Sequence, residues 1–337
     1  MFAIRRSLYS GVALLLSIAL LAAGCGTNPV AKDATGEPKS GAVGATDGKT
    51  GASGANTSRT IKHLKGETTI ASEPTKIAVT EYRLADPLLA LGLKPVAMGN
   101  YMGGLNLDWL KPNALQGVKD LGQNGNAEAI LAAQPDFIIA WEAQNPNYEA
   151  LNKIAPTIVV NETDDWRTDF VAFGKQLNKG AEAEKWLKGY KEKAEAYKVK
   201  LAPKLSGGKT AVYMRVLPKE FRMQATDHRL AGILFEDLGI PVPEKVKAIK
   251  KREAISMEAL PQFDADYLFV QVGSAVAGGD KEAEKKLAEL QQSSIWSNLK
   301  AVKNKHVFIV PFYVDVDFPL ANERAMDLVA EMILNNP

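Results

Sequence analysis

The chain has one cysteine, Cys25, and three histidines. A lone cysteine excludes internal disulfides and every zinc site of the cysteine-rich kind. His63, His228 and His306 share no spacing that would converge them on one ion, which argues against a histidine metal centre. An excess of charge of one sign is also missing. Lys and Arg number 41 against 39 Asp and Glu, and Arg5 and Arg6 supply that excess of two. A neutral body lacks the clustered basic face that nucleic-acid binding by counterion release requires. Catalytic motifs are absent too: there is no Gly-x-Ser-x-Gly elbow, His-Glu-x-x-His, Walker A loop or Gly-x-Gly-x-x-Gly after a strand. The loop from Gly273 through Ser274 to Gly278 has the wrong spacing for a nucleophile elbow. A secreted hydrolase is therefore the weaker functional reading and a binding protein the stronger.

What is present begins with a leader. Arg5 and Arg6 precede an apolar run from Gly11 to Ala23, shorter than the ~20 residues that span a bilayer. Basic residues, a short apolar stretch and small residues before Cys25 are the layout of a signal peptide, here residues 1–24. Leu21-Ala22-Ala23-Gly24-Cys25 resembles a bacterial lipobox, although its leucine stands one place early. That resemblance implies acylation of Cys25 and a lipid-anchored protein on the extracytoplasmic face of the cell membrane. Residues 25–59 are rich in Gly, Ala, Ser, Thr and Asp without apolar periodicity, the composition of a flexible tether.

The remaining sequence is long and apolar enough, at 46% hydrophobic overall, for more than one domain. Thr75–Thr80 and Pro95–Met98 read as strands flanking a helix at Leu84–Leu91 that Gly92 stops. Strands alternating with helices imply βαβ units and a mainly parallel sheet. The pattern then recurs. Leu91-Gly-Leu-Lys-Pro-Val96 is echoed by Leu238-Gly-Ile-Pro-Val242, and Asn126-Ala-Glu-Ala-Ile130 by Ser256-Met-Glu-Ala-Leu260. Asp136 and Asp266 each follow eight residues after the glutamate of their copy. Between the copies, a segment dense in Lys, Glu and Ala carries apolar residues at helical spacing, divided by Gly180. The predicted fold is α/β: two Rossmann-like lobes, residues 60–165 and 204–337, joined by a long rigid helical linker at 166–203. Two such lobes create one ligand cleft between the carboxyl ends of their strands.

Leader, tether and paired lobes resemble the substrate-binding lipoprotein of an ABC importer, within the ferric-siderophore, cobalamin and haem group. The resemblance runs in family order through Thr75–Met98, Asp120–Ile139, Leu151–Thr157, Leu234–Pro243, Ile255–Val270 and Ile295–Lys303. It implies no enzyme activity and no intrinsic cofactor, with ferric iron arriving already chelated, and a monomer is expected. It also implies that Glu128 and Glu258, one per lobe, dock into arginine-lined pockets of a permease dimer. Asn126 and Ser256 are placed to cap the helices on which those glutamates lie.

For the ligand, Arg215 and Arg222 form an Arg-x-x-Pro-x-x-x-Arg pattern similar to a segment of Gram-positive hydroxamate-siderophore binders, with Arg215 favoured. Arg83 follows the first strand and joins them. Aromatic residues at strand ends, Tyr82, Tyr101, Trp141, Tyr213 and Tyr313, are the candidates for cleft walls, since rings offer apolar area at little entropic cost. Trp141 directly follows the apolar run Phe137–Ala140 and is expected to point into the cleft. Trp186 and Trp296 read as structural. A ferric hydroxamate suits one or two arginines with aromatics; catecholate, citrate, haem and cobalamin are alternatives. A triscatecholate needs a deeper basic cluster, which Lys94, Lys111, Lys119 and Arg83 supply only if the fold gathers them.

Overall fold

A computed structural model describes residues 58–163, 165–227, 229–273 and 280–336. The leader and tether readings, Cys25 and His228 lie outside the described residues. The N-terminal lobe opens with an antiparallel hairpin, β1 (Arg59–His63) and β2 (Gly66–Ile70). It continues through β3 (Ile77–Val79), α1 (Ala85–Ala90), β4 (Ala97–Met98), β5 (Lys119–Asp120), α2 (Ala127–Ala133), β6 (Phe137–Trp141), α3 (Tyr148–Asn152) and β7 (Thr157–Val160). Two helices follow, α4 (Trp166–Gln176) and α5 (Gly180–Leu201), with Gly180 at the division. The second lobe contains β8 (Ala211–Val216), β9 (Phe221–Gln224), α6 (Arg229–Gly232), α7 (Glu244–Lys247), β10 (Arg252–Ile255), β11 (Tyr267–Val272), α8 (Lys281–Gln291), α9 (Ser294–Asn298), α10 (Lys300–Lys303), β12 (Val307–Val310) and α11 (Pro319–Asn335).

The internal repeat is visible in the topology. One sheet has the order β5-β4-β3-β6-β7 and the other β10-β9-β8-β11-β12, the same winding in both. The first is wholly parallel; in the second, β9 runs antiparallel to both neighbours. The echoed aspartates do the same work in each copy. Asp136 accepts hydrogen bonds from the Thr75 amide and hydroxyl just before β3, at 2.9 and 2.7 Å. Asp266 accepts from the Thr210 amide and hydroxyl just before β8, at 2.9 and 3.3 Å. Each carboxylate thus satisfies a donor at a strand start that the ladder does not use.

The linker is a helical hairpin rather than one helix. Trp166 packs edge-on to Trp186 and Tyr190, with centroids 6.2 and 5.2 Å away, while Trp296 lies in the second lobe's core. Arg167 pairs with Asp237 at 2.5 Å, and the Tyr190 hydroxyl donates to the same carboxylate at 2.7 Å. The lobes are also joined at a second place. Asp86, fully buried on α1, accepts from the Leu320 amide at 2.9 Å, the Ala321 amide at 2.9 Å and the Trp109 indole at 2.7 Å. The residue preceding α11, Phe318, gives no side-chain cap, so the first lobe supplies the carboxylate for the helix dipole of the second.

Two expectations need correction. The first lobe begins at Arg59, one residue before the expected boundary, because the β1–β2 hairpin lies along it. The segment carrying Glu258 is a 3₁₀ helix, Met257–Phe263, in which Pro261 contributes no N–H, and Ser256 makes no side-chain cap to its backbone. The Glu258 carboxyl is held below its usual pKa by the residue's own amide and then by the Ser256 hydroxyl.

Candidate ligand-binding cleft

In each sheet the winding reverses beside the first strand of its repeat, and ligands of open α/β sheets bind beyond the strand ends at that switch point. In the first lobe the residues after β3 and after β6 line one hollow there: Glu81, Tyr82 and Arg83 from the one, Gln144 from the other, with Tyr101 beside them. The Thr80 hydroxyl donates to the Gln144 side chain at 3.1 Å, holding the two loops together. Lys94, Lys111 and Lys119 do not line this hollow, so the basic cluster demanded by a triscatecholate is not gathered.

Arg83 is held from two sides. Glu81, only 3% exposed, accepts from the Arg83 amide at 2.7 Å and its Nε at 2.9 Å. The guanidinium lies 3.7 Å from the Trp141 ring centroid, a cation–π stack. Trp141 is therefore buried under Arg83 rather than presented to the cleft, as the sequence had suggested. Tyr82 and Tyr101 do reach the hollow, their rings 4.6 Å apart, and Tyr101 stacks with Phe312 of the second lobe at 6.4 Å.

The second lobe's switch point carries a polar row. A tight connection between β8 and β9, with the Leu217 amide donating to the Glu220 carbonyl at 2.9 Å, sets Arg215 directly opposite Arg222. Gln271 of β11 is the register partner of Arg215 on its other side. Arg222 pairs with Glu220, its Nε 2.5 Å from the carboxylate. Arg215 is buried and ion-paired with Asp315 at 2.5 Å. The Tyr213 hydroxyl donates to the same carboxylate at 3.4 Å, so Tyr213 is a core residue steadying Asp315. Tyr313 is likewise buried, packed against Trp109 at 6.3 Å.

Three residues that the sequence reading did not single out complete the site. Asp315 is an acid enclosed between Val314 and Val316, a pattern that marks a buried carboxylate. Burial pushes its pKa up, opposed by Arg229 and Arg215. Arg229 pairs with Asp315 at 3.1 Å, also bonds the Asp315 carbonyl, and takes a positive φ of 56°. Its side chain is 41% exposed against 11% for Arg215, which makes Arg229 the more accessible arginine. Glu162, after β7, feels both Arg83 and Arg229, and burial raises its pKa against their pull. Arg83 of the first lobe and Arg229 of the second both act electrostatically on this carboxylate.

Glu81 gives a pH prediction. Burial pushes it from 4.5 up to about 7, against the pull of Arg83, and Asp86 from 3.8 up to about 7, against its three N–H donors. The folded state then holds protons that the unfolded chain has lost, so their contribution is complete below about pH 4 and is lost as pH rises through about 7. The ligand-free melting temperature should fall between pH 5 and 8, and Glu81→Gln should flatten the profile by about 3 kcal/mol at most. A Glu81→Gln profile as steep as wild type would show that Glu81 does not titrate there.

The profile of periplasmic binding proteins matches residues 77–314, which include both sheets and the linker. The chain belongs to the periplasmic binding protein family. The binding protein is 34% identical over 259 residues to the probable siderophore-binding lipoprotein YfiY of Bacillus subtilis, covering 73% of this chain and 78% of that one. It is 31% identical over 286 residues to the iron(3+)-hydroxamate-binding protein YxeB of the same organism, covering 82% and 85%. A solved structure from Bacillus subtilis, a binding-protein component of a Fep/Fec-like ferrichrome ABC transporter, superposes with a TM-score of 0.70 at 26% identity. That match covers 81% of this chain and 99% of the other.

Proposed function

We propose that the protein captures a ferric siderophore, of the hydroxamate type, between its lobes and delivers it to the permease of an ABC importer. The observation that carries this reading is the pairing of each strand-end arginine with an acid: Arg83 with Glu81 at 2.9 Å in the first lobe, and Arg222 with Glu220 and both Arg215 and Arg229 with Asp315 in the second. Glu162 is a fourth carboxylate, acted on by Arg83 and Arg229. An evenly charged cleft suits a near-neutral ferric hydroxamate and opposes a highly anionic triscatecholate. The name of YxeB gives an iron(3+) hydroxamate as its cargo, and that of YfiY a siderophore. The proposed role is binding, with iron as cargo already wrapped in its chelator.

Cys25 would carry the lipid anchor, and Glu128 and Glu258 the contacts to the permease. Arg229→Ala should weaken ferric-hydroxamate binding by about 1–3 kcal/mol and lower the melting temperature, since buried Asp315 keeps Arg215 but loses one of its two arginines. Arg215→Ala should weaken binding by a similar amount and lower the melting temperature as well, because it strips Asp315 of a buried partner. Titration of each variant beside its thermal melt checks both, and affinities unchanged in both would remove this arginine pair from the site.

A further inference from the structure

A second hollow of about 420 Å³ lies beside the cleft, within the range of small-molecule sites. Its walls are Leu84, Trp141, Trp166, Phe170, Phe173 and Phe318, drawn from the first lobe, the linker helix α4 and the segment leading into α11. The two hollows share a partition: Trp141 lines this one and carries Arg83, which lines the other. Glu162, which feels both cleft arginines, lies on the lining of the apolar hollow.

The polar groups at that lining restrict the occupant. Three of them are carboxylates, Glu162, Asp169 and Asp317, and one is a cation, Lys62, which is paired with Glu67 at 3.5 Å. Asp169 is engaged by the Thr163 amide and hydroxyl at 2.6 and 2.8 Å, and Asp317 accepts from Asn322 at 2.9 Å. A free fatty acid would bring its own carboxylate against these three with only Lys62, already paired with Glu67, to receive it, whereas a tail whose polar head sits at the cleft arginines meets no such repulsion. We propose that the hollow is a subsite for a straight acyl chain carried by the chelator, so that the ligands of this protein include acylated hydroxamate siderophores. The inference rests on the ferric-hydroxamate reading of the cleft and adds a substrate class to it.

The test compares two iron complexes of desferrioxamine B, one N-acetylated and one N-decanoylated on the terminal amine, which have equal charge and differ only in the tail. The decanoyl complex should bind at least about tenfold tighter, given the apolar area it buries. Ala172 lines the hollow from an exposed position on α4, so Ala172→Phe narrows it without touching the core. That variant should lose most of the tail's advantage and bind the acetyl complex as wild type does. Sodium decanoate should not compete with the decanoyl complex. Equal affinities of the two complexes for the wild type would overturn the subsite while leaving the cleft reading intact, as would an undiminished advantage in Ala172→Phe. Competition by decanoate would identify a fatty-acid site instead. Binding of neither complex would overturn the cleft reading first, and the subsite with it.

Discussion

Replacing Glu128 and Glu258 together with alanine is expected to reduce radioiron uptake by whole cells to the background of a strain lacking the protein, with affinity for the ferric ligand unchanged. Both side chains are exposed. Glu128 lies in the first turn of α2, after β5, where Asn126 accepts from the amides of Glu128 and Ala129 at 2.8 and 3.3 Å. Glu258 lies at the start of the 3₁₀ helix after β10, the corresponding strand of the second repeat. Two carboxylates thus stand at matching carboxyl edges of the two sheets, beside the cleft and outside its arginine network. Arginines of a permease would grip them in bidentate fashion. Uptake at wild-type rates in the double variant, with normal surface expression, would refute the docking role.

The second large effect concerns folding. Asp86→Ala should lower stability by about 3 kcal/mol or more, because three buried donors lose their acceptor at once. For a chain of this size that corresponds to a melting temperature lower by roughly 5–10 °C. The loss acts between lobes: the Leu320 and Ala321 amides open α11, whereas Asp86 belongs to the first lobe. Asp86→Asn should fall between the two, since its amide group offers one acceptor where the carboxylate offered two. Thermal melts of both variants at fixed pH measure this, and a wild-type melt for Asp86→Ala would show that the contact contributes nothing.

Much of the architecture was legible because buried parallel strands read as short apolar runs. Phe137–Ala140 falls within β6, all five of whose residues are buried, and Thr75–Thr80 encloses β3, likewise buried throughout. The β1–β2 hairpin was not legible: of its ten residues only Ile61, Thr68 and Ile70 are buried, too few to set a pattern against Arg59, Lys62 and Glu67. Strand β10 escaped for the same reason, with three exposed residues before Ile255. At the site, arginines and tyrosines could be named from their places near strand ends. What sequence could not supply was pairing. Whether Arg215 or Arg229 is accessible depends on how Asp315, from beyond β12, divides itself between them. Trp141 is at its expected strand end, yet Arg83 covers it, a contact set by Glu81 two residues before that arginine.

Everything proposed for the cleft depends on its binding an iron-loaded chelate. The most direct test of this is a tryptophan-fluorescence titration of the protein from Ser58 onward with ferric and iron-free desferrioxamine B, with catecholate and citrate siderophores, haem and cobalamin alongside. Trp141, beneath Arg83 at the cleft wall, is the expected reporter. Saturable quenching at sub-micromolar concentration by the ferric hydroxamate is expected, with far weaker quenching by its iron-free form and by the triscatecholate. Saturation by haem, cobalamin or the triscatecholate in its place would refute the assignment of cargo, and no response from any iron chelate would refute the role in iron capture.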